Sequence, residues 1–394
     1  MIRCILAALA LLATPLAARE TPPPASVVVA FDREGVRPLI VEGLANKDSG
    51  RAVAANDPVR IASVSKLIMA LAALRLADEG KLDFQRDVSD YLGWPLRSPY
   101  HPQAPVTLID LLMHRAGLSD AAGYIIPLGE SLEAKLAEPA AWRDTGPPGE
   151  AAFEYANLGS PLVATVLEAA SGERYDALLE RLVFAPLGIT ACVNWTRCDK
   201  ATKARAVTLY RHSGEVARDD PADLECPIPV AEGVACNLDS YVPGTNASVF
   251  SPQGGVRIGM RDLARIGQEM MQFLNGSDFL SAEAQALWIG AMMAAFERQV
   301  PGEPVPFCGY GLALYQLGGE EPCTDDLFMD GAVRWGHGGE AYGLRSGLWF
   351  DRARGTGFAY FTTEVPPPSG EVETASADPR ERALMARAQS LLKP

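Results

Sequence analysis

Histidine is scarce in this chain: four residues, His101, His114, His212 and His337, among 394. None belongs to an HExxH pattern, so a zincin-type metal centre is not expected. The phosphate-cradling G-x-x-x-x-G-K-[ST] loop is missing, which argues against nucleotide use. The G-x-S-x-G elbow of α/β-hydrolases is missing too. Gly117-Leu118-Ser119-Asp120 comes near, but Ala121 follows. No basic run exceeds two residues, and 49 acidic residues face 35 basic ones, for a formal charge of −14. Such a surface repels phosphate backbones, so nucleic acid is not an expected partner. Past the first 18 residues no apolar run is long enough to cross a bilayer, so no stable membrane anchor is expected. No internal repeat or low-complexity tract occurs.

What is present reads as a globular protein. Apolar residues make up 48% and charged residues 21%, and the length suits one large two-lobed unit. Residues 1–18 stand apart: Arg3, an apolar run from Ile5 to Leu12, then small residues at Leu16-Ala17-Ala18. This is the pattern of a cleaved secretory signal peptide, and it places the chain in the periplasm or outside the cell. Cleavage removes Cys4 and leaves six of seven cysteines. These fall in near pairs, Cys192 with Cys198, Cys226 with Cys236 and Cys308 with Cys323. In an exported chain an even count indicates three disulfides, whose connectivity stays open. Zinc is the competing use of those thiols, but no CxxC occurs and only His212 lies loosely between two pairs.

Strand patterns sit at both ends and helix patterns between them. Ser26 to Phe31 is a β-branched run with a hairpin partner at Arg37 to Glu42. Helical spacing runs from Ser63 to Asp78, with Gly80 as C-terminal cap. Thr107 with Asp110 forms a capping-box pattern, and Leu158 to Ala170, Met260 to Leu274 and Ala282 to Ala295 read as further helices. Residues 192–247, rich in Cys, Pro, Gly and Asp, read as an irregular insert. Leu344 to Phe350 and Gly357 to Thr363 read as buried strands, and Ala375 to Leu392 as a closing helix. The expectation is one domain over 19–394. Its sheet lobe is built from about 26–60 and 296–394, with a mainly helical lobe, about 61–295, inserted between.

Three short patterns carry chemistry. In Ser63-Val64-Ser65-Lys66, a helix starting at Ser63 brings Lys66 onto the same face one turn on. A serine hydroxyl is a poor nucleophile until a base takes its proton, and a desolvated lysine can be that base. The helix N-terminus adds free N–H groups for an oxyanion. Taken alone, S-x-x-K is a weak signal that reads first as an N-capping serine beside a surface lysine. Tyr155-Ala156-Asn157, just before a helix, supplies a phenol that can move a proton and an amide that can bond a lysine and a substrate carbonyl. Alone it reads first as a buried tyrosine and a helix-capping asparagine. His337-Gly338-Gly339 precedes the strand pattern at Leu344, and its two glycines let another backbone approach closely. His114, on an apolar helix face, reads as a packed, hydrogen-bonded histidine.

In this order, S-x-x-K, Y-x-N and H-G-G resemble the motifs of the serine β-lactamase and penicillin-binding protein superfamily, more closely its class C branch. Ile61 to Lys66, Gly80-Lys81-Leu82, Leu111 to Leu118 and Ser251-Pro252-Gln253-Gly254-Gly255 strengthen the likeness, which spans about residues 26–392. The Cys-rich insert departs from it. The resemblance implies an α/β (α+β) fold, an antiparallel sheet flanked by helices plus an all-helical lobe, with the site between the lobes. It implies Ser63 as nucleophile, Lys66 and Tyr155 as proton carriers and Asn157 as orienter of Lys66 and substrate. The N–H groups of Ser63 and Glu340 would form the oxyanion hole, with His337, Gly338 and Gly339 along the cleft. Arg345 is either a carboxylate binder or a strand-edge charge. No metal or cofactor is implied. The expected activity is acyl-enzyme hydrolysis of a small ester, amide or D-amino-acid peptide. The alternatives are a β-lactamase and a non-catalytic cell-wall or small-molecule binder. The family's efficient β-lactamases begin the triplet with lysine. A histidine, mostly neutral at pH 7, and a glycine in place of Thr or Ser favour neutral esters over carboxylate-bearing β-lactams.

Overall fold

Val27, Val28 and Val29 are each fully buried, because their strand lies inside a sheet covered on both faces. The computed structural model describes residues 22–217, 225–273, 277–298, 307–319, 323, 325–367 and 378–392. The expected signal peptide and Cys4 lie outside them. The strands are β1 (Ser26–Asp32), β2 (Val36–Glu42), β3 (Leu44–Asn46), β4 (Arg51–Ala52), β5 (Val59–Arg60), β6 (Ala191–Val193), β7 (Val256–Ile258), β8 (Cys308–Gly311), β9 (Leu314–Leu317), β10 (Arg334–Ala341), β11 (Leu344–Asp351) and β12 (Thr356–Thr362). The helices are α1 (Ser65–Asp78), α2 (Ser89–Leu92), α3 (Leu108–Leu112), α4 (Leu132–Leu136), α5 (Gly159–Ser171), α6 (Tyr175–Leu179), α7 (Lys200–Ala204), α8 (Met260–Gln272), α9 (Ala282–Glu297) and α10 (Pro379–Ser390).

The two ends of the chain meet in one seven-stranded antiparallel sheet, ordered β2-β1-β12-β11-β10-β9-β8. Register places Phe31, Gly357 and Phe350 on one face, with Tyr360, Gly347 and Val28 on the other. Helix α8 packs on the first face, where Gly267 leaves room for the Phe31 ring and Leu348. Helix α10 covers the second face, where Glu381 accepts from the Tyr360 hydroxyl at 2.8 Å. Helix α9 lies along β8, its backbone at Ala291–Met292 against Gly311. Two helices of the expected helical lobe therefore pack on the sheet, and the sheet side of the chain resumes near Met260 rather than 296.

Helices α1 to α7 make up the other lobe, which also holds a small three-stranded sheet, β5-β7-β6. It is thus mainly rather than wholly helical. Buried α1 and α5 form its centre, and one continuous core joins it to the large sheet. The Thr107–Asp110 capping box forms as expected, and Gly80 and Gly172 end their helices with positive φ. Disulfides join Cys192 to Cys198, Cys226 to Cys236 and Cys308 to Cys323. No described helix is long and apolar enough to cross a membrane, and no described cluster of His, Cys, Asp or Glu could hold a metal.

Candidate active site

Ser63 lies in a single 3₁₀ turn, Ala62–Val64, that leads directly into α1. The turn is fastened from outside. Ile61 N–H donates to Val256 O at 3.2 Å, and the Ser346 hydroxyl on β11 donates to Ile61 O at 2.9 Å. Ala62 is driven to φ +44°, a region that side-chain-bearing residues rarely occupy, against the backbone of Gly254. This aims the half-buried Ser63 into a cleft of ≈ 400 Å³ between the lobes. Ser65, the motif's other hydroxyl, is buried and accepts from Val256 N–H at 3.2 Å, so it holds β7 instead.

Lys66 is buried beneath Ser63. Its Nζ donates to Ser63 Oγ at 3.2 Å, Asn157 Oδ1 at 2.8 Å and Gln253 O at 3.3 Å. It also sits 4.6 Å from the centre of the Tyr155 ring. Asn157 is held in turn: Asp120 Oδ2 accepts from its backbone N–H and from its Nδ2, both at 3.0 Å, while Oδ1 takes Leu158 N–H at 2.9 Å. Asp120 thereby fixes which end of the amide faces Lys66. Nothing in the sequence reading had singled it out for this.

Tyr155 stacks on Phe307 at 4.6 Å and lies over His114 at the same centroid distance. His114 is not on the helix face but just past the end of α3, at φ +55°. There its Nδ1 accepts from Ala156 N–H at 3.3 Å, so it is packed and hydrogen-bonded, as expected, directly under the motif. Burial holds its pKa well below the usual histidine value.

The third pattern is itself a strand, the middle of β10. Gly339 is where the two lobes touch. A Cβ there would stand 2.4 Å from Ile61 O and 3.2 Å from Ser63 N, so only glycine permits the approach. Gly338 N–H donates to the Tyr315 hydroxyl at 3.2 Å, away from β11. Alternate N–H groups of an antiparallel strand share a direction, so Glu340 N–H also faces away from β11, toward the Ser63 turn. The Glu340 side chain pairs with Arg345 at 2.8 Å, and Arg345 lies 3.9 Å from Glu381. His337 is only 1% exposed, edge-on against the mutually stacked rings of Tyr310 and Tyr315, with its Nε2 3.2 Å from the Tyr310 hydroxyl. Burial and the Lys66 charge push its pKa down to about 3, so it is neutral. The residue borders the cleft with its ring buried.

A family model described as Beta-lactamase matches residues 22–379. The chain belongs to the beta-lactamase family. It is 24% identical over 337 residues to penicillin-binding protein 4 of Amycolatopsis lactamdurans, covering 84% of this chain and 75% of that one. It is 28% identical to esterase EstB of Burkholderia gladioli over 214 residues, about half of each chain (49% and 52%). The class C beta-lactamase structure from Rhodobacter sphaeroides shares the fold, with TM-score 0.64, 17% identity and coverage of 94% and 95%. As a beta-lactamase-family member, the chain is a serine hydrolase by family. The family spans esterases, peptidases and amidases.

Proposed function

We propose that this protein is an exported hydrolase that acts through an acyl-enzyme on Ser63, with a small ester, amide or D-amino-acid peptide as substrate. The observation that carries this is Lys66, buried within hydrogen-bonding reach of Ser63 Oγ and steered by Asn157. In the protonation state in which Lys66 is a neutral amine beside the Tyr155 phenol, Lys66 takes the Ser63 proton as Oγ attacks the carbonyl carbon, and the ammonium so formed resupplies the proton that Tyr155 gives up. The oxyanion forms between the N–H groups of Ser63 and Glu340, which converge across Gly339. Tyr155 returns a proton to the leaving group, and water, activated by the same pair, releases the acid and frees Ser63. The signal-like residues 1–18 and the disulfides support export.

The β-lactamase reading is disfavoured at His337. A neutral ring buried under the strand offers no charge to a penicillin or cephalosporin carboxylate. Because its pKa is about 3, lowering the pH from 8 to 6 does not restore one. The test is mass spectrometry of the protein after a fluorophosphonate, with specificity constants for phenyl acetate and a chromogenic cephalosporin at pH 6 and 8. The expected results are one phosphonyl adduct on Ser63, none in Ser63→Ala, and an ester value above the cephalosporin value at both pH values. Full activity in Ser63→Ala overturns the mechanism. A cephalosporin value well above the ester value makes the protein a β-lactamase.

A further inference from the structure

Beyond Gly338 the cleft continues into a recess between the strand edge and α10, bordered by Tyr315, Leu317, Asp325, Trp349 and Glu381. Several of its polar groups are not spent on the fold. The Tyr315 hydroxyl accepts from Gly338 N–H, and its own proton goes to no protein acceptor among the described residues. The Trp349 indole, 2% exposed, turns its buried Nε1 toward Tyr360 but has no partner of close hydrogen-bond geometry among the described residues. Asp325 Oδ1 accepts from Arg382 at 3.1 Å, while its buried Oδ2 has no partner among the described residues. Leaving such groups unpaired is costly, so a ligand that satisfies them gains by it.

The recess lies on the leaving-group side. Tyr155, the proposed proton donor to that group, stacks on Phe307, and Phe307 meets the Tyr315 ring edge-on at 5.0 Å. Tyr315 also occupies the space of a missing side chain: a Cβ on Gly338 would stand 3.1 Å from its hydroxyl. The strand has given up its own side chain there, and the neighbouring strand delivers a hydroxyl to the same spot. The cations near the recess are already engaged by acids, Arg345 by Glu340 and Arg382 by Asp325.

We propose that this recess is a leaving-group subsite in which Tyr315 and Trp349 donate to, and Asp325 accepts from, an uncharged amide- or hydroxyl-bearing group, and which refuses a carboxylate. The proposal rests on the reading of Ser63 as nucleophile. A primary amide fits both demands, its carbonyl taking the two donors and its N–H meeting Asp325 Oδ2. A carboxylate meets the donors but also Asp325 and Glu381, while the guanidinium groups of Arg345 and Arg382 are already paired with acids.

The experiment compares N-acetyl-D-alanyl-D-alaninamide with N-acetyl-D-alanyl-D-alanine, as substrates and as competitive inhibitors of phenyl acetate hydrolysis. The amide should be favoured about 10-fold or more in kcat/KM or Ki, the scale of one good hydrogen bond. Tyr315→Phe should raise KM or Ki for the amide about 5- to 10-fold, and methyl acetate, whose methanol leaving group is too small to reach the recess, should lose less. Adding Gly338→Ser to Tyr315→Phe should recover part of that loss by restoring a hydroxyl from the strand. Asp325→Asn should narrow the preference of amide over acid. Equal or better handling of the acid overturns the subsite, and so does a Tyr315→Phe effect that is the same on methyl acetate. Absence of both phenyl acetate turnover and Ser63 labelling fails the nucleophile reading itself and takes the subsite with it.

Discussion

Asp120 shows how a residue without chemistry of its own can decide the site. Its carboxylate takes three N–H donors from Asn157 and Leu158, which leaves Asn157 Oδ1 as the end facing Lys66. Asp120→Ala frees that amide to turn its NH₂ toward the ammonium. The expected outcome is a fall of about 10- to 100-fold in phenyl acetate kcat/KM and slower fluorophosphonate labelling, with the circular dichroism spectrum retained. Asp120→Asn, which can still accept, should lose less. His337 sets a second residue-scale expectation. Its folded pKa, about 3, lies below the unfolded value near 6.5. As pH falls below 6.5 the unfolded chain takes up a proton that the folded one refuses. Stability should therefore drop by up to about 1.4 kcal/mol per pH unit between pH 6.5 and 3 from this group alone. The measurement is the denaturation midpoint of wild type and His337→Asn from pH 7 to 4. The wild-type curve should fall more steeply.

At the scale of elements, the Cys-rich insert acquires a role that its composition did not disclose. Tyr124 and Ile125, the latter 55% exposed, form one wall of the cleft. The segment just after them is braced from the insert side: Leu128 pairs with Val230, Asn246 Nδ2 donates to Ile126 O at 3.1 Å, and Gly129 packs against Val234. The Cys226–Cys236 disulfide spans Val230 and Val234, and buried Glu168 of α5 holds the far end through the Tyr241 hydroxyl and Gly244 N–H. Replacing Cys226 and Cys236 by serine should loosen this wall. KM for a longer ester such as p-nitrophenyl butyrate should rise about 3- to 10-fold while kcat stays within about 2-fold. An unchanged KM would show that the wall stands without the bridge.

For the whole molecule, the three bridges close loops with separations of only 6, 10 and 15 residues. In the chain-entropy model each contributes about 2–3 kcal/mol. Peptide mapping without reductant should find the 192–198, 226–236 and 308–323 pairs and no free thiol among those six. Dithiothreitol should lower the thermal midpoint by several degrees. None of these loops links the lobes. Their alignment rests instead on the core they share, including the close approach at Gly339 and the Ser346 to Ile61 hydrogen bond, so reduction should lower stability more than it lowers the turnover of phenyl acetate.

The sequence alone determined what depends on near neighbours along the chain. The valine run of β1, the leucine spacing of α1, the Thr107–Asp110 box and the glycine caps are set by local sterics and periodicity, and they stand within a residue or two of where the pattern put them. S-x-x-K was legible for the same reason, since i and i+3 are neighbours on one helical turn. The β10 strand was harder. Trp335-Gly336-His337-Gly338-Gly339-Glu340 shows no apolar alternation, because its residues answer to the lobe packed against it rather than to solvent and core. Only the tertiary structure decided what crosses long separations. Asp120 reaches Asn157, Tyr315 supplies a hydroxyl at Gly338, and Ser346 fastens Ile61 from 285 residues away. It also decided the charge state of His337. A histidine's pKa follows the burial and charges around it, and those are assembled only when the lobes close on one another.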